Sequence, residues 1–189
     1  MMRFALLCLA GVAAIAPARA QPAAERLPAC LACHGTAGAS DTPGVPSLGG
    51  QLSDYVLIQL YLFREKQRVA EPMTTMAEGL TDDDLRSLGD TMSQLPPPAA
   101  TGEILDAAAL EHGSGLMSKY RCNSCHGADY AGRDNIPRIA AQREDYLVKS
   151  LTEYKSNARA AYDPAMNAVA QEVAEADIPA IAKYLAHYR

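Results

Sequence analysis

Apolar residues recur at helical spacing along several stretches of this 189-residue chain. Leu85, Leu88, Met92 and Leu95 fall at i, i+3, i+7 and i+10, and Ile178, Ile181, Leu185 and Tyr188 repeat that spacing. Such stripes mark the buried face of an amphipathic helix. Thr81 followed by three aspartates predicts a capped start, with acids at the positive end of the helix dipole. The second stripe opens less cleanly, although Pro179 is tolerable in a first turn. Residues 54–67 and 145–158 also read as helices. So does the run 103–120, interrupted near Gly113 and Gly115. The stretches 36–50 and 128–141 are rich in Gly and Pro and read as loops. No strand alternation is present, so the predicted fold class is all-α.

The elements come in two copies. Aligning His34 with His126 brings Pro46-Ser47-Leu48 onto Pro137-Arg138-Ile139 after a one-residue shift. Gln51 and Tyr55 fall on Gln142 and Tyr146, and Leu60, Arg64 and Arg68 on Leu151, Lys155 and Arg159. Such self-similarity signals a duplicated unit. Pro96-Pro97-Pro98 forms a stiff linker between the copies. The predicted organisation is a leader over 1–20, a first domain over 21–95, a linker over 96–102 and a second domain over 103–189. The leader rests on Arg3, a short apolar run from Phe4 to Ile15, and Ala18-Arg19-Ala20 as the cleavage signal, with the cut after Ala20. That run is too short to span a bilayer. Cys8 follows Leu7 rather than a small residue, which disfavours a lipoprotein reading.

Removing the leader takes Arg3 and Arg19 and leaves 15 basic against 22 acidic residues, a net charge of −7. An acidic chain excludes nucleic acid as the expected partner and favours a partner with a basic docking patch. The four remaining cysteines all lie in two Cys-x-x-Cys-His motifs, Cys30–His34 and Cys122–His126. This is the c-type haem attachment signal, in which two thiols bind the porphyrin and the histidine ligates iron. Paired zinc motifs lie about 15–20 residues apart, whereas these lie 92 apart and each carries its own histidine. The expected cofactors are therefore two haem c groups, each wrapped by one small helical domain. Few aromatic residues and no Trp suggest cores completed by haem.

Iron held by one histidine needs a sixth ligand, and methionine is the common one in electron carriers. Aligning the last helices with an offset of 93 places Met73 on Met166, Met76 on Val169 and Met92 on the core position Leu185. The expected pairs are His34/Met73 and His126/Met166, with Met76 a rival three residues from Met73. Pro46 and Pro137 follow their histidines by 12 and 11 residues. They read as rigid loop residues, or as carbonyls that accept the histidine Nδ1 proton. Arg68 and Arg159 read as solvated charges or as partners of haem propionates. Gln51, Gln142, Tyr55 and Tyr146 are similar supporting candidates.

Cys30-x-x-Cys33-His34-Gly35, Pro46-x-Leu48-x-x-Gln51, Tyr55, Arg64, Arg68, Met73 and Leu80-x-Asp82-x-Asp84, followed by their copy, resemble the diheme cytochrome c4 family over nearly the whole mature chain. The resemblance implies two class I cytochrome c domains facing each other across a pseudo-twofold axis. It implies a periplasmic electron carrier serving a terminal oxidase, dehydrogenase or reductase complex. No integral membrane segment is expected in the mature chain, which leaves peripheral association open. Two departures stand out. The family's last helix carries an aromatic residue facing the first helix; Tyr184 fits, but Thr91 takes that place in the first half. Pro22 and Pro28 also predict a short or missing first helix. The rival readings are a tightly bound cytochrome subunit of a flavocytochrome-type dehydrogenase, and a small haem enzyme with an open iron site.

Overall fold

Side chains cap some helix starts, and left-handed backbone closes several helix ends. The structure, a computed structural model, describes residues 23–100, 102, 104–159 and 162–189. The predicted leader and its cut lie outside the described residues. The first half contains α1 (Ala23–His34), α2 (Ser53–Arg64), α3 (Met73–Ala77) and α4 (Asp82–Gln94). The second contains α5 (Ala107–Lys119), α6 (Asn123–His126), α7 (Glu144–Lys155), α8 (Ala165–Glu172) and α9 (Ile178–Ala186), with a 3₁₀ turn at Glu175–Asp177. Among the described residues the only β pairing is an isolated bridge between Arg133 and Ile136.

At the start of α4, Thr81 Oγ1 accepts from the Asp84 amide at 3.1 Å and Asp84 Oδ2 accepts from the Thr81 amide at 2.8 Å. This reciprocal box satisfies two otherwise orphaned donors. Helices α2 and α7 stop three residues short of the ends read from sequence. Lys66 and Asn157 take left-handed φ of 55° and 58° just past them. A left-handed residue closes a helix by turning late amides back onto its last carbonyls. The Arg68 amide donates to Leu62 O and the Arg159 amide to Glu153 O. Both arginines are thereby folded back over their own helices.

The predicted interruption in the run 103–120 does not occur. Asp106 caps α5 through the Ala109 amide at 2.7 Å, and the helix runs unbroken through Gly113 and Gly115. At Gly113 the missing side chain has a use. A Cβ there would meet Tyr184 Cβ at 2.6 Å, so α9 lies directly on the α5 backbone. Tyr184 also joins edge-to-face contacts with Tyr130 and Tyr188, a geometry worth about 0.5–1.5 kcal/mol per pair beyond burial. In the first half Thr91 stands in that position, and its hydroxyl turns back onto the Ser87 carbonyl. There α1 is present despite Pro28, and it runs directly into the attachment motif rather than preceding it as a separate helix.

Among the described residues the second core joins eleven buried residues, Leu116, Met117, Tyr120, Ile178 and Ile181 among them. The first joins Phe63, Ala77, Leu80, Leu85 and Leu88. Opening free energy tracks buried apolar contact. Amides of α4 are accordingly expected to exchange faster with deuterium than those of α9 in the native protein. Equal protection of the two helices would contradict this ordering.

Candidate haem sites and the seam between them

Each attachment motif ends where its helix must stop. Gly35 follows His34 with φ 88° and Gly127 follows His126 with φ 84°. A Cβ on Gly35 would lie 2.0 Å from the Ala39 carbonyl oxygen, so the chain can reverse there only without a side chain. The reversal returns a Pro-containing loop under the histidine. His34 Nδ1 lies 2.8 Å from Pro46 O, and His126 Nδ1 lies 2.9 Å from Pro137 O. A carbonyl only accepts, so each Nδ1 carries the proton and each Nε2 keeps its lone pair. Both rings are buried. Burial holds both imidazoles below their ordinary pKa, partly opposed by the prolyl carbonyls. The result is a pair of neutral, oriented imidazoles, the form that ligates iron.

The four motif cysteines are unpaired. Cys33 and Cys125 are exposed, while Cys30 and Cys122 are half-buried, and burial pushes the latter two thiols up. Met73 opens α3, half-buried against the first core, which Leu27 of α1 also touches. Met76, one turn on, is 41% exposed. Met166 is the second residue of α8 and half-buried, as is Val169.

The supporting polar residues gather at a seam between the halves. Arg159 is 3% exposed. It donates through Nη1 to Tyr146 and Ser150, both at 3.2 Å, and through Nη2 to Tyr55 and Gln59 of the first half, both at 3.0 Å. Arg68 donates to the same Gln59 oxygen at 2.6 Å. No local motif marks Gln59 or Ser150. Both are polar, stand four residues after Tyr55 and Tyr146, and share one register in the repeat.

Gln51 and Gln142 reach backbone of the opposite half, while each Oε1 also accepts from the next amide of its own half, Leu52 N at 3.1 Å and Arg143 N at 3.0 Å. Gln142 Oε1 accepts from the Ser47 amide at 2.8 Å, and its Nε2 donates to Ser47 O at 2.9 Å. Gln51 Oε1 accepts from the Arg138 amide at 2.9 Å, and its Nε2 donates to Arg138 O at 3.1 Å. Asp145 adds a further link, accepting from the Gly44 amide at 2.8 Å while paired with Arg143.

That pairing with Arg143 leads the effects that hold the Asp145 carboxyl down at about 2, with the Gly44 and Tyr146 amides adding to it. An unfolded aspartate titrates near 3.9. A depressed folded pKa gives stability that is complete above the unfolded value and fades as pH falls toward the folded one. Asp145 should therefore contribute to docking of the halves above about pH 4, with the contribution disappearing as pH falls toward 2. The side chain is 42% exposed, so solvent screening keeps the effect small. Melting temperatures of the wild type and Asp145→Asn should converge over that window. A constant gap down to pH 2 would contradict the assignment.

The residues fit haem on their own chemistry. Two dithiol pairs stand beside two neutral imidazoles. Neither Arg68 nor Arg159 has a carboxylate partner among the described residues, and Arg159 Nε is buried without any partner. Burial raises the Tyr146 phenol, yet the Arg159 and Arg68 charges outweigh it and bring the hydroxyl to about 7. This is the electrostatics of a seam that awaits anions, and haem propionates are such anions.

A family model described as cytochrome c matches residues 110–189. Cytochrome c4 of Thiocapsa roseopersicina is 34% identical over 165 residues, covering 82% of this chain and 85% of that protein. The thiosulfate dehydrogenase electron acceptor of Thiomonas intermedia is 29% identical over 182 residues, covering 90% of this chain and 83% of that one. The crystal structure of reduced recombinant cytochrome c4 from Pseudomonas stutzeri superposes with a TM-score of 0.80 at 26% identity, over 88% of this chain and 97% of that chain.

Proposed function

The chain belongs to the cytochrome c4 family, as an electron-transfer protein with two covalently bound haem c groups rather than an enzyme, and from that premise we propose its ligands, its compartment and its partners. Cys30 and Cys33 hold the first haem and Cys122 and Cys125 the second. His34 with Met73, and His126 with Met166, fill the axial positions. Bound haem supplies a one-electron Fe(II)/Fe(III) couple whose potential follows axial ligand, burial and hydrogen bonding. The Pro46 and Pro137 carbonyls hold the imidazoles in one tautomer and one orientation. Arg68 and Arg159 neutralise propionates at the seam. The folded histidine–proline geometry, seen twice at 2.8 and 2.9 Å, is the observation that carries this reading.

The protein works in the periplasm, to which the leader over 1–20 would direct it. No helix among the described residues is long and apolar enough to cross a membrane. It shuttles electrons between a respiratory or dehydrogenase donor and an oxidase, and its acidic surface favours basic docking patches. A second reading, a dedicated acceptor bound to one dehydrogenase, draws support from the relative named as a thiosulfate dehydrogenase electron acceptor.

The test is a haem count and a ligand challenge on the exported protein. Two haems per chain, with reduced native protein that ignores carbon monoxide, are expected. One haem per chain, or a carbon monoxide complex, would overturn the reading. Stoichiometric copurification of a dehydrogenase would favour the second reading over the free carrier.

A further inference from the structure

The carbonyl of Pro46 and the amide of Ser47 belong to one peptide group. His34 Nδ1 donates to its oxygen at 2.8 Å, and its N–H donates to Gln142 Oε1 at 2.8 Å. The second half repeats this. His126 donates to Pro137 O at 2.9 Å, and the Arg138 amide of the same peptide group donates to Gln51 Oε1 at 2.9 Å. Each histidine is thus the start of a three-member chain that ends on a glutamine of the other half.

The glutamines are placed for this. Both are buried, 4% and 6% exposed. Each follows a left-handed residue, Gly50 at φ 62° and Ala141 at φ 53°. An alanine in that region costs on the order of 1–2 kcal/mol, and such strain persists where surrounding structure over-determines it. Here the Ala141 amide is tied to Leu185 O at 2.8 Å, and the Gly50 amide to Met92 O at 3.2 Å. The last helix of each half therefore aims the glutamine across the seam.

We infer that Gln142 is a positioning residue for the iron ligand His34, and Gln51 for His126, each acting across the seam through the shared peptide group. This rests on the proposed histidine ligation. An acceptor on the peptide N–H polarises its carbonyl, and hydrogen bonds in series strengthen one another. A stronger acceptor at Nδ1 makes the imidazole more basic and favours Fe(III). Breaking contact between the halves then shifts both iron centres at once, through the halves they do not belong to.

Redox titration of holoprotein carrying Gln142→Met and, separately, Gln51→Met tests this, with Met73→Ala identifying which transition belongs to the first haem. Gln142→Met should move the first haem's equilibrium several-fold toward Fe(II) at fixed ambient potential, with little change at the second. Gln51→Met should do the reverse. Gln142→Glu keeps the acceptor oxygen and should return the first haem to its wild-type equilibrium, or beyond it toward Fe(III). The Ser47 amide should exchange faster in Gln142→Met than in wild type. A shift confined to the glutamine's own half, equal shifts at both haems, or no shift with both methionine–iron bands intact would overturn the inference. A Met73→Ala protein that keeps both bands would overturn the choice of Met73 as sixth ligand but not the tuning through His34, and Met166→Ala would then mark which transition belongs to the second haem.

Discussion

Replacing Met73 with alanine is expected to remove the near-infrared thioether–iron band from one of the two haems and to lower that haem's potential by tenths of a volt. Axial ligand identity spans about 0.8 V across haem proteins, and a neutral thioether raises the potential by favouring Fe(II). Met166→Ala should do the same to the other haem. Met76→Ala should leave both bands in place. The distinction rests on two observations. Met73 is the residue in register with Met166, and it packs against the same core as Leu27 of the attachment helix. Met76 is 41% exposed. Loss of the band in Met76→Ala with retention in Met73→Ala would reverse the choice.

Arg159→Leu should be the most destabilising single change at the seam, by about 3 kcal/mol or more. Arg159 is buried and donates to four side chains, two in each half. Its guanidinium also stacks on Tyr154 at 4.6 Å. Removing one partner from a buried, charge-bearing network leaves the others unsatisfied, which costs more than the bonds contributed. Arg159→Lys should recover little, because an ammonium cannot reproduce the planar fork. Urea unfolding of the oxidised holoprotein is the measurement. A midpoint within error of wild type would mean that the tyrosines find other partners. Arg68→Leu should cost less, since Arg68 is only half-buried and its described donation is to Gln59 at the edge of the same network.

The all-α fold was legible because apolar period and capping agreed. Leu85, Leu88 and Met92 are the buried residues of one stripe of α4, and Thr81 caps that helix as its chemistry requires. Helix ends were less legible, because Lys66 and Asn157 adopt a conformation that their side chains do not announce. The continuity of α5 was hidden for the opposite reason. Gly113 is a weak helix former in isolation, and only the tyrosine packed on it from α9 explains its place there. The short helices α3 and α8 around the candidate methionines gave too few residues for a period to show. Among the candidate site residues, the motif cysteines and histidines are local signals that a spacing alone can pick out. Gln51 and Gln142 are not local. Their register in the repeat was visible, but a partner 87 or 95 residues away is decided by how the halves meet.

That meeting has a consequence for how such a chain could arise. Gln51 reaches Arg138, and Gln142 reaches Ser47, at corresponding positions of the repeat. A contact in which i touches j while j touches i is what an isologous dimer uses. Two copies of a single ancestral unit could have made this contact before any covalent joint existed. The Pro-rich connection then converts a concentration-dependent association into a permanent one, and each copy is freed to diverge, as Ser47 and Arg138 already have.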